Sequence, residues 1–275
     1  MSERAGFGFV EETAMCKVSA LLREREAVME ESRSWSGEVK GRPWKVTQAD
    51  CVETAKGFDA ASVDLVIADP PYNLGIAYDL YKDKLPPAEY LGWCETWLSQ
   101  LYRVLSDSGS LFLYMGEEYA SEVDVMAKRL GFIKRSRIVW FFTFGQNQRK
   151  GFTPSHVAIF YYVKSKHFTF NVDDPEARVP SARQLVYNDK RGNAAGKLPD
   201  NVWLLTKAAY EEALGPDADI WLHSRVAGTF KERLSKSLPC QLPAAMLQRI
   251  VRLASSPGQV VFDPFCGTGS TAVSY

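Results

Sequence analysis

The chain has 275 residues with 33 basic and 33 acidic side chains, so its formal net charge at neutral pH is zero. This length suits one large α/β domain or two small ones. No run of about 18 apolar residues occurs, and the N-terminus lacks the basic start and apolar core of a signal peptide, so neither a membrane span nor secretion is expected. The neutral charge argues against a nucleic-acid-binding protein that is basic throughout, but it allows a local basic cleft.

The cysteines and histidines indicate neither disulfides nor a metal site. The cysteines are odd in number and lack C-x-x-C spacing, which suits reduced thiols in the cytoplasm, and the histidines show no metal-ligand pattern. These residues are Cys16, Cys51, Cys94, Cys240 and Cys266, and His156, His167 and His223. We therefore predict a cytoplasmic protein without a bound metal.

The first elements lead to a buried strand. Residues 1–42 are predicted to be a helical extension, because residues 11–33 are charged and carry a broken apolar stripe. A short strand at 44–50 and a helix at 51–58 follow. Residues 63–68 form a mainly apolar run that is typical of a strand in a parallel sheet.

This strand ends abruptly at Asp69-Pro70-Pro71-Tyr72, which we call the proline corner. Ligands of open α/β sheets bind at the carboxyl ends of strands, where Asp69 would lie. Each proline lacks an N–H and has a fixed φ, so the turn is stiff. A carboxylate, a fixed carbonyl and an aromatic face together favour the binding of a planar ring that carries an amino group.

The middle of the chain alternates helices and strands. A helix is predicted from Pro86 or Pro87 to about residue 105, followed by a turn at 106–109 and a strand at 110–114. A helix at 119–130 follows. Two adjacent aromatic-rich strands are predicted at 138–142 and 157–163. From residue 165 to about 236 the periodicity weakens, which indicates an irregular insertion.

A glycine-bearing turn follows the last strand. Residues 243–254 are predicted to form an amphipathic helix, and residues 260–262 begin another apolar strand. That strand enters Asp263-Pro264-Phe265-Cys266-Gly267-Thr268-Gly269-Ser270, which we call the glycine turn. Gly267 and Gly269 let the backbone approach a ligand closely, and a helix is expected to start near Ser270.

The proline corner and the glycine turn together resemble the motifs of amino-group DNA methyltransferases, which use S-adenosylmethionine. Their order, catalytic motif first and cofactor motif last, is similar to that of the permuted beta group of bacterial enzymes. Segments 46–51, 149–156 and 238–243 also resemble this group, so the resemblance covers roughly residues 44–275. It implies a Rossmann-like α/β methyltransferase sheet with a target-recognition insertion.

The resemblance implies catalytic roles for the proline corner. Asp69 and Pro70 would accept hydrogen bonds from the exocyclic amino group of an adenine, Pro71 would hold the turn, and Tyr72 would stack on the extruded base. Cofactor contacts are expected from Asp50, Cys51, Asp69, Asp263, Pro264, Phe265, Gly267, Gly269 and Ser270. Asp50 is alternatively a cap at a helix start.

The resemblance also implies double-stranded DNA as the partner and the nucleoid as the location. DNA contacts are expected from Arg149, Lys150, Lys190, Arg191 and Lys197, although solvated surface charges are the alternative. The sequence leaves open a cognate restriction endonuclease and a homodimer. Four parts are predicted: the extension at 1–42, a catalytic part at 43–164, a target-recognition region at 165–237 and a cofactor-binding part at 238–275.

The last part lacks the strand and acid with which the family continues, so we expect a C-terminally truncated fold with weak cofactor binding. Other functions stay open on the sequence. Cytosine-N4 methylation is the nearest, although the family often uses Ser-Pro-Pro-Tyr for it, so Asp69 favours adenine. RNA or protein-glutamine methylation, a nucleotide-dependent dehydrogenase and a non-catalytic DNA-binding remnant are the others.

Overall fold

The structure, a computed structural model, describes residues 33–39, 41–76, 83–141, 150, 152, 154–175, 177–179, 190–191, 193–194, 196–203, 241–267 and 269–274. The chain divides into two compact units, Met1–Asp50 and Cys51–Tyr275. Within the described ranges, no helix combines the length and the apolar character that a membrane span requires.

The first unit contains a β-hairpin. Strands β1 (Arg33–Val39) and β2 (Arg42–Gln48) pair antiparallel along their whole length. Gly41 lies between them at a φ of +79°, a conformation that favours glycine. The prediction of a helical extension at 1–42 is therefore wrong for residues 33–39, because cross-strand pairing with β2 determines their conformation. Residues 1–32 lie outside the described ranges.

The second unit alternates helices and strands around one sheet. Its helices are α1 (Cys51–Lys56), α2 (Pro87–Val104), α3 (Ala120–Arg129), α4 (Ala244–Ala254) and α5 (Ser270–Ser274), and its strands are β3 (Val63–Ala68), β4 (Leu105–Met115), β5 (Ile133–Phe141), β6 (His156–Val163), β7 (Val202–Trp203) and β8 (Val261–Phe262).

The six strands form a mixed sheet in the order β7-β5-β6-β4-β3-β8. Strand β3 is parallel to both neighbours, β4 and β8, whereas β6 is antiparallel to β4 and β5. The carboxyl ends of β4, β3 and β8 therefore meet at one edge, which is where ligands of such sheets bind.

Both faces of the sheet are buried. Alternate residues of β3, β4 and β6 pack on one face against α1, α2 and α3. The intervening residues pack on the other face against α4. This three-layer arrangement explains why the central strands are apolar on both sides.

Within the described ranges the predicted elements agree in kind with the structure except at two places, although β5 begins at Ile133, five residues before its predicted start, and β2 is Arg42–Gln48 where 44–50 was predicted. Besides the hairpin, the predicted turn at 106–109 lies inside β4, which runs continuously from Leu105 to Met115. The ladder with β3 skips from Leu105 to Ser110, so the polar residues between them form an irregularity within the strand.

Candidate active site

The proline corner and the glycine turn lie at the same edge of the sheet. Strand β3 ends at Ala68, directly before Asp69, and β8 ends at Phe262, directly before Asp263. Because β3 and β8 pair in parallel with Val66 opposite Phe262, the two acids follow neighbouring strand ends. The structure thus brings together the two motifs that are distant in sequence.

Hydrogen bonds fix the proline corner from inside. The Tyr72 hydroxyl donates to Oδ1 of Asp69 at 2.5 Å, which ties the aromatic ring to the carboxylate. The hydroxyl of Tyr90, a buried residue of α2, donates to the Pro71 carbonyl at 2.8 Å. The proline corner is therefore stabilised by one hydrogen bond between its own residues and by a second hydrogen bond from α2.

The loop after the proline corner closes on a buried carboxylate. Asp83 is only 2% exposed and accepts the backbone N–H groups of Asn73, Leu74 and Ile76 at 2.7 to 3.1 Å. Asn73 has a backbone φ of +62°. Its side-chain amide donates a hydrogen bond to the Leu85 carbonyl and accepts one from the Leu85 N–H. These contacts fix the backbone that leaves Tyr72.

The Tyr72 ring lies directly against Gly116, the residue after β4. A Cβ atom at Gly116 would lie 2.9 Å from Cδ2 and 3.1 Å from Cγ of Tyr72. The absence of a side chain at this position is therefore what allows the ring to occupy its place beside Asp69.

We expect Gly116→Ala to lower kcat of the proposed methyl transfer about tenfold, because the added methyl group displaces the Tyr72 ring. Gly92→Ala is the matched control, since a Cβ at Gly92 in α2 meets no atom within 4 Å. The control should retain kcat and gain about 1 kcal/mol of stability. Equal kcat values for the two variants would contradict the role given to Gly116.

The glycine turn is organised around Asp263. Its carboxylate accepts the Phe265 N–H at 2.9 Å and the Thr271 hydroxyl at 2.6 Å, so it links the strand end to α5. The Phe265 ring packs edge-on against Trp93 and Trp97 of α2, with centroids 5.9 and 5.4 Å away. The turn is thereby anchored to the same helix that supports the proline corner.

Burial raises the pKa of Asp263 from 3.8 to about 7, and the nearby Asp69 carboxylate adds to the increase, whereas the bonds from Thr271 and Phe265 oppose it. Such a carboxyl group favours a cationic partner, which would restore its ionised form. The group is only partly exposed at the protein surface.

S-adenosylmethionine, which the resemblance implies, fits these residues. Gly267 and Gly269 have φ values of +48° and +78°, and a Cβ at Gly269 would meet no atom within 4 Å, so the backbone there is open to a ligand. The paired carboxylates suit a ligand with positive charge. Burial raises the pKa of the Cys266 thiol to about 11, which suits a packing role rather than a nucleophile.

Other predicted cofactor residues have less defined surroundings. Pro264 and Ser270 lie in the glycine turn and at the start of α5, where Ser270 is 6% exposed. Asp50 ends the first unit, and the partly exposed Cys51 begins α1. The cofactor roles of these four residues, like those of the other predicted contacts, stay predictions.

The predicted DNA contacts differ in exposure. Lys150, Lys190 and Arg191 are exposed, which suits phosphate contact. Lys197 is partly buried and bonds to both carboxylate oxygens of Asp200 at 2.9 and 2.7 Å. Arg149 lies outside the described residues, as does most of the predicted target-recognition region.

Several residues of the site were missed by the sequence analysis. Asp83 and Gly116 carry no local motif, and Tyr90 has the pattern of an ordinary apolar helix residue. The ring nitrogen of His156 lies 3.0 Å from the carboxylate of Glu117, which also pairs with Arg137. Only contacts between distant segments distinguish these residues from core or surface positions.

Comparisons with known proteins identify the family. The sequence model described as DNA methylase, of the N6/N4 type, matches residues 63–274. Type II methyltransferase M.HpaI of Haemophilus parainfluenzae is 33% identical over 224 residues, which are 81% of this chain and 63% of that protein. The DNA adenine methyltransferase YhdJ of Escherichia coli K12 is 30% identical over 241 residues, or 83% and 74% of the two chains.

The fold also agrees with a solved structure. The cytosine-N4-specific PvuII DNA methyltransferase superposes with a TM-score of 0.55 at 14% identity, covering 82% of this chain and 75% of that one. The predicted α/β methyltransferase fold is thereby confirmed. The chain spans 63% of the length of M.HpaI. Because the family model matches well over half of its residues, the chain belongs to the N6/N4 DNA methylase family.

Proposed function

We propose that this chain transfers a methyl group from S-adenosylmethionine, the methyl donor of its family, to the exocyclic amino group of adenine in double-stranded DNA. The observation that carries the proposal is the position of the Asp69 carboxylate, in a rigid proline corner beside the Asp263 turn. The 30% identity to YhdJ, a DNA adenine methyltransferase, supports adenine as the target.

In the proposed mechanism, the proline corner makes the amino nitrogen nucleophilic. The lone pair of this nitrogen is conjugated into the ring, so the nitrogen is intrinsically a poor nucleophile. The Asp69 carboxylate and the Pro70 carbonyl accept hydrogen bonds from the two N–H groups of this nitrogen. They thereby stabilise the positive charge that develops as the nitrogen reacts. Asp69 then takes up the proton that the nitrogen loses.

Tyr72 positions the target base. An amino group inside a duplex is not accessible to the corner, so the base leaves the stack and lies against the Tyr72 ring. Gly116 on one side and the hydroxyl bond to Asp69 on the other fix this ring. Its fixed orientation limits the entropy lost when the base binds.

The glycine turn holds the cofactor. Asp263 provides negative charge, and the backbone at Gly267 and Gly269 provides close approach. When bound, the cofactor supplies an electrophilic methyl group on a positively charged sulfur. Exposed Lys150, Lys190 and Arg191 would contribute contacts to the DNA phosphates.

The similarity to Type II methyltransferases supports a role beside a restriction endonuclease.

Cofactor binding should depend on pH through Asp263. Below pH 7 this carboxyl group is protonated in the free protein, so a cationic ligand must displace the proton. We expect the Kd of S-adenosylhomocysteine to fall about tenfold between pH 6 and pH 8 in calorimetry, and to stay constant in Asp263→Asn. A wild-type Kd that does not change over this range would contradict this role of Asp263.

The same group affects stability with a defined sign. Its pKa in the folded state lies above its ordinary value of 3.8, so the folded protein binds more protons than the unfolded chain between about pH 4 and 7. The contribution of Asp263 to the free energy of unfolding therefore decreases as pH rises through this window and levels off above pH 7.

The target base is tested by nucleoside analysis. The chain is incubated with S-adenosylmethionine and plasmid DNA from a strain without DNA methylation, and the digested nucleosides are separated by mass spectrometry. N6-methyladenine is the expected product. N4-methylcytosine would contradict adenine as the target while preserving the mechanism of the proline corner.

A further inference from the structure

Tyr114 has a buried hydroxyl group that none of the described residues satisfies. It is the penultimate residue of β4, its side chain is 0% exposed, and its hydroxyl has no hydrogen-bond partner within the described part of the chain. Buried polar groups are usually paired, and an unpaired one lowers stability. A buried hydroxyl at a strand end, without a partner among the described residues, therefore indicates a contact with a ligand.

The strand register places Tyr114 beside both acids of the site. Leu113 lies opposite Ala68, so Tyr114 follows in register with Asp69. The Tyr114 side chain packs on the α4 face of the sheet together with Ile67. Asp69 directly follows β3, and its charge acts on the Tyr114 hydroxyl.

Asp263 lies close to the same hydroxyl. It directly follows Phe262, which lies opposite Val66 of β3, and its charge acts on the Tyr114 hydroxyl. Three side chains from three adjacent strand ends thus lie near one another at this edge: two carboxylates and one hydroxyl. This set suits a ligand group that is positively charged and carries several N–H bonds.

The hydroxyl keeps its proton in this environment. Burial and the charges of Asp69 and Asp263 raise the pKa of Tyr114 well above its ordinary value of 10. At neutral pH the group is therefore an uncharged O–H that can accept a hydrogen bond.

We propose that Tyr114 is a further cofactor contact, whose hydroxyl oxygen accepts a hydrogen bond from the ammonium group of the methionine part of the cofactor. The inference rests on the proposed function. The ammonium group is a better donor to Tyr114 than the exocyclic amino group of the base. In the proposed mechanism both N–H groups of that amino group already donate hydrogen bonds to Asp69 and Pro70. An ammonium has three N–H bonds and a positive charge that complements Asp263.

The test is Tyr114→Phe in the full chain, with two ligands measured by calorimetry. S-adenosylhomocysteine keeps the ammonium, and its Kd should rise about tenfold in the variant. 5′-Methylthioadenosine lacks the amino-acid part, and its Kd should be unchanged. Because the hydroxyl has no partner among the residues that the structure describes, the free energy of unfolding should be equal or higher in the variant.

A control separates ligand contact from structural damage. The hydroxyl of Tyr162, on the other face of the sheet, donates to Asp124 at 2.8 Å. Tyr162→Phe should lower the free energy of unfolding and leave both Kd values unchanged.

The remaining outcomes would each overturn the inference. If Tyr114→Phe binds S-adenosylhomocysteine as tightly as wild type, or binds both ligands equally weakly, the hydroxyl does not contact the ammonium. An effect of the substitution that is confined to the KM for DNA would indicate that the hydroxyl contacts the target base and not the cofactor. A wild-type chain that binds neither ligand would overturn the proposed function, and the inference with it.

Discussion

Asp69→Ala is expected to reduce kcat for methyl transfer by about 10²- to 10³-fold while the chain stays folded. The substitution removes the acceptor that stabilises the charge on the reacting nitrogen, and losses of this size follow removal of one preorganised partner of a transition state. It also removes the acceptor of the Tyr72 hydroxyl, so the ring loses one of its two constraints.

Single-turnover transfer of a tritiated methyl group at saturating DNA and cofactor measures this effect. Asp64→Asn is the matched control, because Asp64 belongs to the same strand but bonds to Ser106 and to the Val260 N–H at its other end. The control should keep kcat within about threefold of wild type. Retention of more than a tenth of the wild-type kcat in Asp69→Ala would exclude the proposed role of the carboxylate.

The second large effect is expected on stability. Asp83→Ala leaves three backbone N–H groups of the loop at 73–76 without their acceptor, and Asp83 is almost fully buried. Hydrogen bonds to a charged acceptor contribute about 1.5 to 3 kcal/mol each, and they are not additive, so we expect a loss of about 3 kcal/mol. Because this loop directly follows Tyr72 in the chain, its loss of order should also displace the Tyr72 ring and lower kcat.

Urea unfolding of the variants measures the stability loss. Asp83→Asn keeps one acceptor oxygen and should lie between wild type and Asp83→Ala. Asp59→Ala, at an exposed position, should change stability by less than about 0.5 kcal/mol. If Asp83→Ala and Asp59→Ala unfold at the same urea concentration, the loop does not depend on this carboxylate.

The elements that the sequence predicted best are those with an unambiguous local pattern. The apolar runs before Asp69 and Asp263 predict strands, and the stripe of residues 87–104 predicts a helix, because burial of one face imposes these periodicities. The meeting of the two motifs at one edge follows from parallel pairing of their strands. The sequence therefore predicts the proline corner and the glycine turn, each with the strand before it, whereas their meeting at one edge is a finding of the structure.

What the sequence could not show depends on contacts between distant segments. Residues 33–39 form a strand only because β2 pairs with them. Asp83 resembles any loop acid, and its role requires that the loop folds back over 7 to 10 residues. Tyr114 has the pattern of a core residue, and it is distinguished by a hydroxyl that has no partner among the described residues.

The central claim is that the chain methylates DNA through the proline corner. Its most direct test is transfer of tritium from methyl-labelled S-adenosylmethionine to unmethylated plasmid DNA, with RNA and the chain itself as alternative acceptors in parallel. We predict label that precipitates with the DNA and is released by deoxyribonuclease but not by ribonuclease or protease. Label that follows RNA or protein, or no label above a reaction without the chain, would contradict the claim.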